Sequence, residues 1–192
     1  MLFNSFEFIF IFLPISIIFF YYKKNSNQNL KKIIIIFSLI FYSYYNIYFL
    51  PLILASILVN YAFLEYFDKN IFNLGKQVFF NIILLIIFKY SDFLIILSNN
   101  IFNTQFKLLY LPFPLALSFF TFQQIAFAVD RYRHQKKVKL VDYMLFITFF
   151  PQLIAGPIVF YHQVRNQFKN FHKKFNFENF YFGLAFFFYR IV

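Results

Sequence analysis

The chain has 192 residues and a net charge of +11; 61% of its residues are hydrophobic and 13% are charged, against roughly 45–50% and about 25% in soluble domains. A water-soluble core of this size cannot cover 37 Phe and 15 Tyr, so the composition points to a polytopic membrane protein. The absence of Cys excludes a disulfide framework, a Cys-based zinc site and a thiol nucleophile. The bases lie in short segments between apolar runs, which reads as topology and lipid head-group contact rather than nucleic-acid binding.

The first apolar run, Phe8–Tyr22, is followed by Lys23, Lys24, Lys31 and Lys32 and lacks a small-residue cleavage site, so it reads as a retained helix rather than a signal peptide. Ile33–Leu64 carries no formal charge and is too long for one crossing. Asn46 and Pro51 divide it into two helices, with Tyr42, Tyr44, Tyr45 and Tyr48 gathered at the turn as an interfacial belt. After a charged connection from Glu65 to Lys76, a fourth helix is expected from Gln77 to Tyr90, extendable to Leu97. Lys89 interrupts it; snorkelling to the interface is the favoured reading, and Asp92 can share its helical face. Ser98–Lys107 reads as a loop, and Leu108–Val129 as a fifth crossing with Pro112 and Pro114 near its start.

The connections at 23–32, 65–76 and 130–139 hold most of the early Lys and Arg. The positive-inside rule therefore places Arg131–Lys139 in the cytoplasm and the N-terminus outside. Leu140–Tyr161 is apolar yet basic on both flanks, with Arg165, Lys169, Lys173 and Lys174 downstream. Pro151, Gly156 and Pro157 break any helix in its middle. This segment reads as a re-entrant hairpin, the alternative being a kinked ordinary crossing. Asn166–Glu178 is basic and aromatic, suited to the membrane surface. Phe180–Tyr189 begins a last apolar helix that is short of a full span at Val192. The fold class is therefore all-α: one membrane domain over 1–192, with about five crossings, a re-entrant segment and a truncated last helix.

No chemical signature stands out. His134, His162 and His172 all lie in or beside basic segments and read as surface residues. There is no Gly-x-Ser-x-Gly elbow, no phosphate-binding glycine loop and no evident metal-ligand spacing. Asp130, Arg131 and Arg133 read either as a helix end with a local ion pair or as a cytoplasmic mouth that steers an anionic donor. Gln123 and Gln124 are read as contacts between helices. Pro151, Gln152, Ala155, Gly156 and Pro157 are expected to shape a channel-lining, re-entrant segment, a structural rather than catalytic role.

Two stretches carry a family resemblance. One is Leu111-Pro112-Phe113-Pro114-Leu115-Ala116-Leu117-Ser118-Phe119-Phe120-Thr121-Phe122-Gln123, running on to Val129-Asp130-Arg131-Tyr132-Arg133; the other is Phe149-Phe150-Pro151-Gln152-Leu153-Ile154-Ala155-Gly156-Pro157-Ile158. Together with Phe3-Asn4-Ser5, Phe12-Leu13-Pro14 and Phe88-Lys89-Tyr90, they resemble the membrane-bound O-acyltransferase family, in its bacterial branch of alginate O-acetylation and peptidoglycan O-acetyltransferase proteins. The resemblance implies a ring of helices in the bacterial inner membrane. Acyl groups would pass through it from a cytoplasmic donor such as acetyl-CoA, a substrate rather than a bound cofactor, to an envelope polysaccharide. A periplasmic acetyltransferase is an implied partner, alongside the membrane lipids. The family's catalytic His belongs to a Trp-His-Gly motif, and this chain contains no Trp, so the chain resembles the N-terminal part of such an enzyme. A non-catalytic membrane scaffold from a truncated gene and, less favoured, a small transporter are the alternatives.

Overall fold

The computed structural model describes residues 3–22, 27–66, 70–134, 137–153, 156–169, 176–178, 180–183 and 185. Among them there are helices and no strands. The first helix opens with a π-helical stretch, Phe8–Phe12, whose last bond runs from the Leu13 amide to the Phe8 carbonyl. Pro14 has no amide to continue the regular ladder, which accounts for a π bulge at this place. Helix α1 (Leu13–Tyr22) then lies against α2 (Asn27–Ser43), with Phe12 against both Phe37 and Phe41. The division expected at Asn46 and Pro51 is present. The Asn46 side chain caps a 3-10 turn (Ile47–Phe49), and α3 (Leu50–Tyr66) takes Pro51 at its second position, where a missing amide costs nothing.

Helix α4 (Ile71–Phe102) is longer at both ends than the sequence suggested and runs for about 48 Å at 1.5 Å per residue. Asn70 caps its start, and Asn103, in the left-handed conformation, ends it. The proposed fifth crossing, Leu108–Val129, is corrected at its start: residues 105–114 are non-helical, and α5 begins only at Leu117 (Leu117–His134). Pro112 and Pro114 keep the residues before them out of the helical region, and Tyr110 and Ala116 both adopt positive φ. The non-helical segment folds back along α4. The Asp92 carboxylate accepts the Leu109 and Tyr110 amides, and Asn99 bonds to Thr104 and Phe106. Lys89 extends over the Tyr90 ring, 5.4 Å from its centroid.

The protein is inside-out by the standard of a soluble domain. Only two residues of α4 are buried, and both are polar, Gln77 and Asn81. Its exposed surface carries Ile82, Ile83, Ile86, Ile87, Phe93 and Leu94. Asn60 of α3 is the hub of the polar interior. Its carbonyl oxygen accepts from Gln77 Nε2 (3.0 Å) and Asn81 Nδ2 (2.6 Å), and its amide nitrogen donates to Gln124 Oε1 of α5. Ser56 Oγ also donates to Gln124, at 3.1 Å. The expected role of Gln124 in joining helices is thus observed. Two helical stretches, Ile47–Tyr66 and Ile71–Phe102, are long and apolar enough to cross a membrane. Together with the exposed apolar face they associate the chain with a membrane.

Leu140–Tyr161 is not one helix. It forms α6 (Leu140–Thr148), α7 (Phe150–Leu153) and, after residues 154–155, a non-helical return at 156–160. The outward arm follows α2: Lys31 pairs with Asp142 at 2.5 Å, and eight residues further on the Phe150 amide donates to Ser38 Oγ. The return arm runs alongside α5 and parallel to it. Gln123 Nε2 reaches the Val159 carbonyl at 3.4 Å, Phe127 packs on Tyr161 at 5.0 Å, and Asp130 meets His162. The segment therefore leaves and returns to the same end of the helix bundle. Helix α8 (Tyr161–Lys169) follows. Residues 177–178, 180–183 and 185 are helical; the rest of the expected last helix lies outside the described residues.

Candidate functional site

At the end of the bundle where the hairpin begins and finishes, a pocket of about 210 Å³ opens between α5, the start of the hairpin and α8. Phe127, Asp130, Arg131 and His134 reach it from α5, Val138 from the connection just before α6, and Tyr161, His162, Arg165 and Asn166 from α8. Below it lies a wall of rings: Phe127 meets Tyr143 edge-on at 4.6 Å and Phe146 at 5.5 Å. This packing holds α5 against α6.

The Asp130 side chain is 5% exposed and closes the pocket floor. Its Oδ2 accepts the His162 backbone amide at 2.8 Å, in the first turn of α8, where helix amides lack intrahelical partners. Its Oδ1 lies 2.6 Å from His162 Nδ1 and 3.4 Å from His134 Nε2, four residues on along α5. The two imidazoles lie 4.8 Å apart and are each about half exposed. Phe160 stacks on His162 at 5.8 Å.

Arg131, which also lines the pocket, reaches towards α3. It is 6% exposed, and its Nη2 donates at 3.2 Å to the Leu64 carbonyl in the last turn of α3, where a cation complements the helix dipole. Its Nε and Nη1 are buried without a hydrogen-bond partner among the described residues. Burial lowers its pKa from the usual guanidinium value, and the nearby Glu65 carboxylate opposes that shift.

Of the three mouth residues singled out in the sequence, Asp130 and Arg131 line this pocket, whereas Arg133 is exposed and does not. The other group lies at the far turn of the hairpin, away from the pocket. Pro151 is exposed on α7, and Gln152 Nε2 donates to the Pro157 carbonyl at 2.8 Å. A side chain at Gly156 would stand 2.7 Å from the Gln152 Cα and carbonyl oxygen, so only glycine fits this close approach. Ala155 lies outside the described residues.

His134 and His162, read from the sequence as surface residues, are brought together around Asp130. The spacing of Asp130 and His134, four apart on one helix, was a legible sign that they share a face. Nothing local announced His162, which is 32 residues from Asp130 and arrives through the hairpin. His172 lies outside the described residues.

No family model matches the chain, and no solved structure does. Curated relatives do match. The peptidoglycan O-acetyltransferase of Helicobacter pylori is 34% identical across 97% of this chain and 42% of its own length. The probable alginate O-acetylases AlgI of Pseudomonas syringae and Pseudomonas aeruginosa are 30% and 28% identical across 88% of this chain and 35% of their own lengths. The chain thus spans less than half the length of these relatives. It is a relative, over part of their length, of the bacterial peptidoglycan and alginate O-acetyltransferases, the branch of the membrane-bound O-acyltransferases that its motifs resemble.

Proposed function

We propose that this chain is the donor-receiving part of a membrane O-acyltransferase. About five crossing helices and a re-entrant hairpin form one side of a channel in the bacterial inner membrane, with the N-terminus outside. The pocket at Arg131 opens to the cytoplasm and receives the anionic part of an acyl donor such as acetyl-CoA. The acceptor is an envelope polysaccharide, with peptidoglycan favoured over alginate because the relative of that name matches more of the chain. A periplasmic acetyltransferase is the class of partner to which such a relay would pass its acyl group. The base that deprotonates the acceptor hydroxyl lies outside these residues, since the Trp-His-Gly motif has no counterpart here.

The observation that carries this reading is the buried Arg131 guanidinium, two of whose nitrogens have no hydrogen-bond partner among the described residues, on a residue that lines a pocket at the basic end of the bundle. Buried donors of a cation seek an acceptor, and a phosphate or pyrophosphate supplies several. The test is acetyl-CoA binding to the chain in lipid nanodiscs. Arg131→Gln is expected to weaken binding about 10- to 100-fold, the worth of one charge-assisted hydrogen bond. Equal affinity in the variant refutes the assignment.

The absence of native Cys allows a direct test of topology. Lys137→Cys and Lys169→Cys, placed on the two sides of the hairpin, should both react with an impermeant maleimide from the cytoplasmic side only. Labelling from opposite sides would make the segment an ordinary crossing.

A further inference from the structure

The carboxylate at the floor of the pocket is buried, yet among the described residues no Lys or Arg lies within ion-pair distance of it; its only ionisable partners are two imidazoles. Arg131, its neighbour in sequence, directs its Nη2 to the Leu64 carbonyl instead. A buried carboxylate needs compensating charge, and here the groups arranged to share it are metal-ligand side chains. We propose that Asp130, His134 and His162 form a binding site for a divalent transition metal, with zinc as the best match.

The geometry supports this assignment. One ligand atom from each of the three residues falls within a sphere in which all lie 4.8 Å or less apart. Zinc takes Asp oxygen and His nitrogen at about 2.0–2.2 Å, so the edge between two tetrahedral ligands is about 3.3 Å. The separation of Asp130 Oδ1 and His134 Nε2, 3.4 Å, already matches that edge. His162 Nδ1, at 2.6 Å, is hydrogen-bonded to the same oxygen and must retreat by about 0.7 Å to give a ligand edge. Its side chain is half exposed and can make that adjustment. The backbone contact from the His162 amide to Oδ2 holds the carboxylate in place meanwhile, as an outer hydrogen bond does for metal-bound carboxylates.

Three protein ligands leave a fourth position open. Two imidazoles and one carboxylate suit zinc or ferrous iron rather than calcium or magnesium, and an open position is the mark of a site that meets water or a ligand rather than a purely structural one. It faces the pocket lined by Arg165 and Asn166, so an oxyanion such as a carboxylate or phosphate is the class of ligand that would complete it. This inference is independent of the donor reading of Arg131 and survives if that reading fails.

The test uses the chain in nanodiscs, freed of metal with a chelator, and zinc or cobalt(II) alone as the probe. Titration should show one equivalent of zinc bound, and cobalt(II) should develop the intense visible bands of a low-symmetry four-coordinate site. Asp130→Asn, His134→Asn and His162→Asn should each weaken zinc binding by at least about tenfold and abolish the cobalt spectrum, with the helical circular dichroism retained. Asp92→Asn, a carboxylate remote from the site, should leave both unchanged. Absence of stoichiometric zinc binding by the folded wild-type chain overturns the proposal, as does binding that none of the three substitutions alters. Because the readout is metal binding, its failure is separate from failure of acetyl-CoA binding.

Discussion

Replacing Asn60 by Ala removes the hub that joins α3 to α4 and α5. Asn60 is fully buried and its side chain meets three others across helices, Gln77, Asn81 and Gln124. In a membrane protein, interhelical hydrogen bonds average about 0.6 kcal/mol and reach about 1.7, because the unfolded helices find other partners. Three of them give about 2 kcal/mol for Asn60→Ala, with a ceiling of about 5 kcal/mol. Stability would be measured by unfolding in mixed micelles of dodecyl sulfate and a mild detergent, followed by circular dichroism. A double-mutant cycle with Gln124→Ala should return a coupling of about 0.6–1.7 kcal/mol. A loss for Asn60→Ala within about 0.3 kcal/mol of zero, together with no coupling, would refute the idea that a polar interior holds these helices together.

Gly156→Ala places a methyl group 2.7 Å from the Gln152 backbone, which cannot yield as a flexible side chain would; a loss of about 1–3 kcal/mol is expected in the same assay. The Lys31–Asp142 pair ties the start of the hairpin to α2 with both side chains largely buried. Asp142→Ala should cost about 2 kcal/mol, because it strands the ammonium group. The exchange Lys31→Asp with Asp142→Lys should recover part of that loss, and no recovery would assign the cost to packing alone.

The division of α2 from α3 was legible in the sequence because Asn46 and Pro51 act locally, one through a side-chain cap and the other through its missing amide. The break in 140–161 was legible for the same reason: Pro151, Gly156 and Pro157 forbid a continuous helix by backbone chemistry alone. Hydropathy was a poorer guide to helix ends. It began the fifth helix at Leu108, where apolar residues and two prolines coincide, and the backbone preference prevailed over the apolar run until Leu117.

Composition by itself determined that this chain belongs with a membrane, since burying its many aromatic residues away from water requires an apolar solvent. Local backbone chemistry determined where most helices stop. What only the tertiary structure decided is which distant polar groups meet: Asn60 with Gln77, Asn81 and Gln124, and Asp130 with His162. Such contacts depend on how helices pack and where the hairpin returns, and side chains separated by many residues carry no local signal of their pairing. The pocket is therefore a product of packing, built from residues that in the sequence look like a basic stop signal and two surface histidines.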